Sequence, residues 1–172
     1  MLKQTPAENK LRVSFDLDET LFVDPSNHKT EPPLRGPIAR IYQERLRLGT
    51  VELVRRLQQE GFEVWIYTSS FRSERYINGL FRHYGIRFDG IVNGERHQRE
   101  IQANSRDPVP TKLPNRYRIT LHVDDEAIVA TYGRTFGFQV YQLDAQDDEW
   151  AEKILARVRA IRDAGHPADR KR

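Results

Sequence analysis

Short β-prone runs alternate along the chain with longer stretches in which apolar residues recur at helical spacing. The β-prone runs predict strands at 11–15, 62–67, 91–92, 118–123 and 138–143. The helical spacing predicts helices at 50–60, 73–84, 127–136 and 150–164. Strands that alternate with helices indicate an α/β fold, in which a Rossmann-like parallel sheet is the middle of three layers and helices cover both of its faces.

Two polar, proline-rich stretches separate these elements. Residues 21–37 are predicted to form a loop or a small flap, and residues 93–116, which contain three prolines, to be mostly loop. We therefore expect a single α/β domain at 11–164, preceded by an N-terminal extension at 1–10 and followed by a basic tail at 165–172.

Composition narrows the class of protein only a little. The formal net charge is +3, which permits an anionic partner such as a phosphoprotein or a nucleic acid, although no basic run with interleaved aromatic residues is present. The absence of cysteine excludes disulfides and thiol chemistry. No apolar run approaches the roughly 20 residues of a membrane span, and the N-terminus lacks a secretory signal, so a cytoplasmic protein with no membrane partner is the default expectation.

Pairs of acidic residues follow two of the predicted strands. Asp16 and Asp18 follow the first strand, and Asp124 and Asp125 follow the fourth. Carboxylates this close repel one another unless a cation or a proton intervenes, and Mg²⁺ prefers oxygen ligands. Taken singly, each pair could also be a turn or the acidic beginning of a helix.

Other polar residues follow the second strand or precede the fourth. Thr68 and Ser69 could hold phosphate oxygens with a hydroxyl and loop amides, although taken alone they are better explained by helix entry or turn chemistry. Lys112 is the only lysine between Lys29 and Lys153, and it could neutralise clustered carboxylates and phosphate. Arg72 could contact a substrate or simply lie in solvent at the start of a helix.

In this order along the chain, the strings V-S-F-D-L-D-E-T-L, V-W-I-Y-T and L-H-V-D-D, together with Lys112, resemble the phosphohydrolases of the haloacid dehalogenase (HAD) superfamily. The resemblance covers residues 11 to about 143. It implies that Asp16 is the nucleophile and becomes an aspartyl-phosphate, and that Asp18 is the general acid and base. It further implies that Thr68 binds the phosphoryl group and that Lys112 steadies Asp16 and the phosphate.

The resemblance also implies a Mg²⁺ cofactor. Asp16, the backbone carbonyl of Asp18 and Asp124 would hold the ion, and Asp125 would bind it directly or through water. Enzymes of this superfamily often carry a cap domain, but the intervals 21–49 and 93–111 are shorter than the ~40 residues of the smallest compact domains. A capless phosphatase with an open site is therefore expected, acting on phosphorylated small molecules, proteins or nucleic-acid ends.

Three other functions are compatible with the same residues. A phosphotransferase would pass the phosphoryl group from Asp16 to an acceptor other than water. A binding module would keep the fold without turnover, although an intact Asp16 and Asp18 pair argues against this. A nucleic-acid binder would use its arginines, and its salt-sensitive binding would survive the substitution Asp16→Asn. The oligomeric state and the natural substrate stay open.

Overall fold

Within residues 10–165, five parallel strands form one sheet in the order β3-β2-β1-β4-β5. Their bounds are β1 Arg12–Phe15, β2 Glu63–Tyr67, β3 Gly90–Val92, β4 Leu121–Asp124 and β5 Val140–Gln142. The central strand, β1, pairs with β2 and β4, so that Phe15 lies between Ile66 and Val123. The α/β class and the parallel sheet predicted from the sequence are confirmed.

Six α-helices surround the sheet in the computed structural model, which describes residues 10–165. They are α1 Ile38–Ile41, α2 Thr50–Gln59, α3 Glu74–His83, α4 Gly94–Glu100, α5 Ala127–Phe136 and α6 Trp150–Gly165. The extension predicted at 1–10 and the tail predicted at 165–172 lie outside the described residues, apart from Lys10 and Gly165. None of the helices within 10–165 is both long and apolar enough to cross a bilayer.

Successive side chains of each strand point to opposite sides of the sheet, and the two faces of the sheet therefore carry different residues. Val13 and Phe15 of β1 pack in the main core with the apolar sides of α2, α3 and α6. On the opposite face, Tyr67 lies in a second apolar cluster, and Val129 of α5 lies in a third. Burial of apolar side chains against both faces is what holds the three layers together.

The segment predicted as loop at 93–116 contains helical structure that the sequence did not reveal. Helix α4 occupies part of it, and short 3-10 turns follow at Gln102–Asn104 and Pro114–Tyr117. The Asn93 side chain accepts the backbone N–H of Arg96 and so caps α4, whose short sequence offers no apolar stripe. Strand β4 begins at Leu121 rather than at 118, because Arg118 has φ +53° and ends the second 3-10 turn.

The two intervals in which a cap could be inserted hold little regular structure. Between 21 and 49 lie α1 and two isolated antiparallel bridges, Phe22 with Leu46 and Thr30 with Arg47. Between 93 and 111 lie α4 and one 3-10 turn. In the described part of the chain neither interval builds a sheet of its own, so the carboxyl edge of the central sheet stays uncovered by a second layer of strands.

Gly90 is required where β3 passes the ring of Trp65. A Cβ at this position would lie 2.4 Å from Trp65 Cε3, and the guanidinium of Arg12 covers the same ring at 4.6 Å. We expect Gly90→Ala to lower the free energy of unfolding by about 1–3 kcal/mol in urea denaturation, as overpacking of a filled site does. Gly165→Ala is the control, since a Cβ there meets nothing within 4 Å. Equal stabilities of the two variants would contradict this reading.

Candidate active site

Carboxylates from two neighbouring strands meet at the carboxyl edge of the sheet. The backbone N–H of Asp16 donates to the carbonyl of Val123 at 2.9 Å, which extends the pairing of β1 and β4 by one residue. Asp124 ends β4 and Asp125 follows it. One carboxylate oxygen from each of Asp16, Asp124 and Asp125 lies within 4.8 Å of the others. Residues more than 100 positions apart in sequence therefore share one acidic cluster.

Lys112 enters this cluster from the loop before β4. Its Nζ lies 2.5 Å from Asp124 Oδ2 and 3.0 Å from Asp16 Oδ1, and its side chain is only 1% exposed. An amine is buried to this extent only where carboxylates compensate its charge. The isolated lysine of the sequence is thus an internal ion-pair partner of both strand-end aspartates.

A buried tyrosine fixes the backbone beside Lys112. The hydroxyl of Tyr67, at the end of β2, accepts the backbone N–H of Leu113 at 2.8 Å. The same hydroxyl lies 2.6 Å from Nδ1 of the buried His97, which α4 supplies. Because the hydroxyl has one proton, it can accept from Leu113 and donate to His97 at once. An irregular loop is held in this way well enough to position a buried ammonium group.

The buried charges shift one another's ionisation. Burial raises the pKa of Asp16 to about 6, an effect that the charge of Lys112 only partly offsets. For Asp124, burial is outweighed by the hydrogen bond from His122 and the charge of Lys112, so its pKa falls to about 2. Burial and the neighbouring Asp124 both raise the pKa of Asp125. The two aspartates with raised pKa values are those for which the protein supplies too little positive charge.

His122 and Ser14 orient the carboxylate of Asp124. His122 Nε2 lies 2.9 Å from Asp124 Oδ2, and His122 Nδ1 lies 2.7 Å from Ser14 Oγ. Burial lowers the pKa of His122, and a carboxylate can only accept, so Nε2 carries the proton and Nδ1 accepts from Ser14. The sequence predicts His122 as a packed strand residue. It is fully buried, and it is also a hydrogen-bond partner of the acidic cluster.

Arg47 stabilises the turn that follows Asp16. This buried guanidinium donates to the backbone carbonyls of Glu19 and Thr20 at 2.8 Å each, and to that of Ala145 at 3.0 Å. Glu19 has φ +57°, an uncommon conformation for a residue with a side chain. Thr20 Oγ1 in turn donates to Asp125 at 3.3 Å. The turn is therefore tied both to the loop after β5 and to the second acidic pair.

Asp18, two residues after Asp16, is not one of the three clustered carboxylates. Its side chain is 54% exposed, and its Oδ2 accepts a hydrogen bond from Arg72 Nη1 at 2.9 Å. Arg72 Nε also donates to Glu44 at 3.1 Å, so one guanidinium joins two carboxylates. The structure thus leaves the Asp18 side chain outside the group of three carboxylates, open to solvent and paired with Arg72.

The residues that follow β2 form a third group of polar side chains in the candidate site. Thr68 is buried, and its backbone N–H donates to Val92, while its Oγ1 accepts the N–H of Ser70 at 3.1 Å. Ser70 Oγ accepts from Arg72 at 2.9 Å, which links this group to Asp18. Ser69 is exposed on the same loop. The strand order therefore brings the residues after β2 to the same edge of the sheet as those after β1 and β4.

A divalent cation with a preference for oxygen fits the acidic cluster. When ionised, its three carboxylates face one ammonium group, which leaves two negative charges to be balanced. Asp16 Oδ1 is buried and, apart from its contact with Lys112, has no hydrogen-bond donor among the described residues. Mg²⁺ accepts one or two carboxylates and completes its shell with water and phosphate oxygens. Asp16, Asp124 and Asp125 have the donor atoms to hold it.

Comparison with known proteins shows the fold. No family model and no curated protein matches the chain. A HAD-superfamily hydrolase of subfamily IA, variant 1, from Geobacter sulfurreducens PCA is 15% identical, with a TM-score of 0.54 over 86% of this chain and 99% of that one. The D,D-heptose 1.7-bisphosphate phosphatase from B. bronchiseptica, complexed with magnesium and phosphate, is 18% identical over 86% and 99%, with a TM-score of 0.46. The first of these matches confirms the fold that the resemblance implied: this chain has a HAD-like α/β fold.

Proposed function

We propose that the protein is a magnesium-dependent phosphatase that hydrolyses phosphate monoesters through an aspartyl-phosphate on Asp16. The observation that carries the proposal is the cluster of three carboxylates within 4.8 Å around the buried Lys112. Phosphoryl transfer is catalysed mainly by positioning and by stabilisation of charge. The cluster offers a nucleophile, an ammonium group and the ligands of a cation at one strand edge.

The reaction divides into two displacements at phosphorus. In the first, a carboxylate oxygen of Asp16 forms a bond to phosphorus while the ester P–O bond breaks, and Asp18 gives its proton to the departing alkoxide. In the second, Asp18 takes a proton from water, whose oxygen bonds to phosphorus as the Asp16 O–P bond breaks. Inorganic phosphate leaves, and both carboxyl groups return to their starting state. The exposed position of Asp18 suits a group that must meet both the leaving oxygen and water.

The other side chains have supporting roles. Lys112 holds Asp16 in place and offsets the charge of the phosphoryl oxygens, and Thr68 contributes its hydroxyl and the amides of its loop to those oxygens. His122, through its hydrogen bond to Asp124, keeps that carboxylate directed into the cluster. A bound Mg²⁺ would supply positive charge to the transferring phosphoryl group. The uncovered sheet edge suits phosphoproteins, nucleic-acid ends or other accessible phosphates.

Removal of divalent metal tests the proposal. We expect hydrolysis of p-nitrophenyl phosphate to stop in EDTA and to return with Mg²⁺. Mg²⁺ at a hundred times its Kd should also stabilise the folded protein by about 2.7 kcal/mol, which thermal unfolding would show without any substrate. In Asp124→Asn both effects should need much more Mg²⁺, because a buried ligand is lost.

Asp147→Asn is the matched control, since Asp147 is an acid paired with Lys153 away from the cluster. It should keep the wild-type response to Mg²⁺ in both measurements. Full turnover in EDTA, together with unfolding that Mg²⁺ does not alter, would refute the metal assignment.

A further inference from the structure

The loop after Thr68 holds an exposed aromatic ring on a well-anchored backbone. The backbone N–H of Gly94 donates to the carbonyl of Ser70 at 2.8 Å, and the Asn93 side chain donates to the carbonyl of Arg72 at 2.9 Å. Phe71 lies between these two anchored residues and is 62% exposed. A large apolar ring held in solvent by a fixed backbone offers a flat contact surface at little cost in conformational entropy.

The ring forms one wall of a small cavity of about 90 Å³. Phe71 packs against Gly94, where a Cβ would lie 2.5 Å from the backbone carbonyl oxygen of Ser69 and 2.9 Å from Phe71 Cε2. The cavity is also lined by Ser69 and Thr111. These residues are the immediate chain neighbours of Thr68 and Lys112, so two residues of the proposed phosphoryl site are continuous in sequence with the cavity wall.

The rest of the cavity wall is polar but carries no charged side chain. Gln98, Gln102 and His97 line it, and both glutamines are exposed to solvent. Burial lowers the pKa of His97, and its ring is therefore neutral at neutral pH. A ligand suited to this wall is flat, uncharged and able to exchange hydrogen bonds with amides along its edge.

We propose that this cavity is a subsite for a nucleobase, so that the substrate is a nucleotide phosphate whose base stacks on Phe71. The inference rests on the proposed phosphatase function, since it assigns the leaving group of that reaction. A base offers a π-face to Phe71 and donors and acceptors to the two glutamines. The phenol ring of a phosphotyrosine would also stack on Phe71, but its only oxygen is bonded to phosphate, so its ring edge offers the two glutamines no donor or acceptor of the kind a base offers.

Matched esters with and without a base test the subsite. We expect kcat/KM for adenosine 5′- or 3′-monophosphate to exceed that for ribose 5-phosphate and glycerol 2-phosphate by ~10-fold or more, the scale of one stacked base. Phe71→Ala should remove this preference and leave the rates for the two esters without a base unchanged. Phe136→Ala is the control, because this exposed ring lies at the far end of α5 and should not affect any of the four rates.

Binding separates the subsite from the catalytic proposal. Adenosine monophosphate should bind to Asp16→Asn, and the double variant with Phe71→Ala should bind it ~10-fold more weakly in calorimetry, whether or not the wild-type protein turns over any ester. Such binding, together with no hydrolysis of p-nitrophenyl phosphate by the wild-type protein in Mg²⁺, would refute the phosphatase and keep the subsite. Two results would overturn the nucleobase assignment. One is that Phe71→Ala lowers kcat/KM equally for all four esters, and the other is a preference for O-phosphotyrosine that depends on Phe71.

Discussion

Replacement of Asp16 by asparagine is expected to lower kcat for p-nitrophenyl phosphate by at least ~10⁴-fold, as loss of a covalent nucleophile does in other enzymes. The amide has nearly the shape of the carboxylate but cannot form the aspartyl-phosphate. Lys112 keeps its 2.5 Å contact with Asp124, so the loop that carries it should stay in place. Initial rates measured beside the thermal unfolding midpoint would separate lost chemistry from lost fold.

Asp24→Asn is the matched control for this variant. Asp24 is exposed and accepts from the backbone and the hydroxyl of Ser26, a role that asparagine can take over. The kcat of Asp24→Asn for p-nitrophenyl phosphate should equal that of the wild type. Turnover near the wild-type rate in Asp16→Asn would remove Asp16 from the role of nucleophile and leave the cluster as a metal site alone.

The meeting of Asp16 with Asp124 shows what a sequence pattern can predict. The strands were visible as β-prone runs, and the acids followed them directly. Because parallel strands all end at the same edge, the acids had to lie on one side of the sheet. Sequence does not give the strand order, which decides whether two ends are adjacent. Here β1 and β4 are neighbours, and carboxylate oxygens of Asp16 and Asp124 lie within 4.8 Å of each other.

The residues that support the cluster could not be recognised in the same way. Arg47 is one of 22 arginines, and nothing local distinguishes it from those on the surface. Its role depends on three backbone carbonyls, which only the folded chain brings together. The same holds for Tyr67 and His97 behind Lys112. Helix α4 escaped prediction because its stability comes from a cap and from tertiary contacts rather than from an apolar stripe.

Replacement of Lys112 by methionine should produce the largest loss of stability. Methionine keeps most of the length and apolar bulk of the side chain but removes the charge from between two buried carboxylates. Breaking a buried ion pair from one side typically costs about 3–5 kcal/mol, since the remaining charge has no compensation. Urea denaturation of the metal-free protein would measure the change, and phosphatase activity should fall with it because Asp16 loses its fixed partner.

Lys153→Met distinguishes this effect from a general loss of positive charge. Lys153 pairs with Asp147 on the surface, where its side chain is half exposed, and solvent screens such pairs so that they contribute little to stability. Mg²⁺ should restore part of the stability of Lys112→Met, because a cation at the same carboxylates relieves the repulsion that the lysine relieved. If Lys112→Met were as stable as Lys153→Met in EDTA, the buried lysine would not be compensating the strand-end acids, and the electrostatic basis of the site would be wrong.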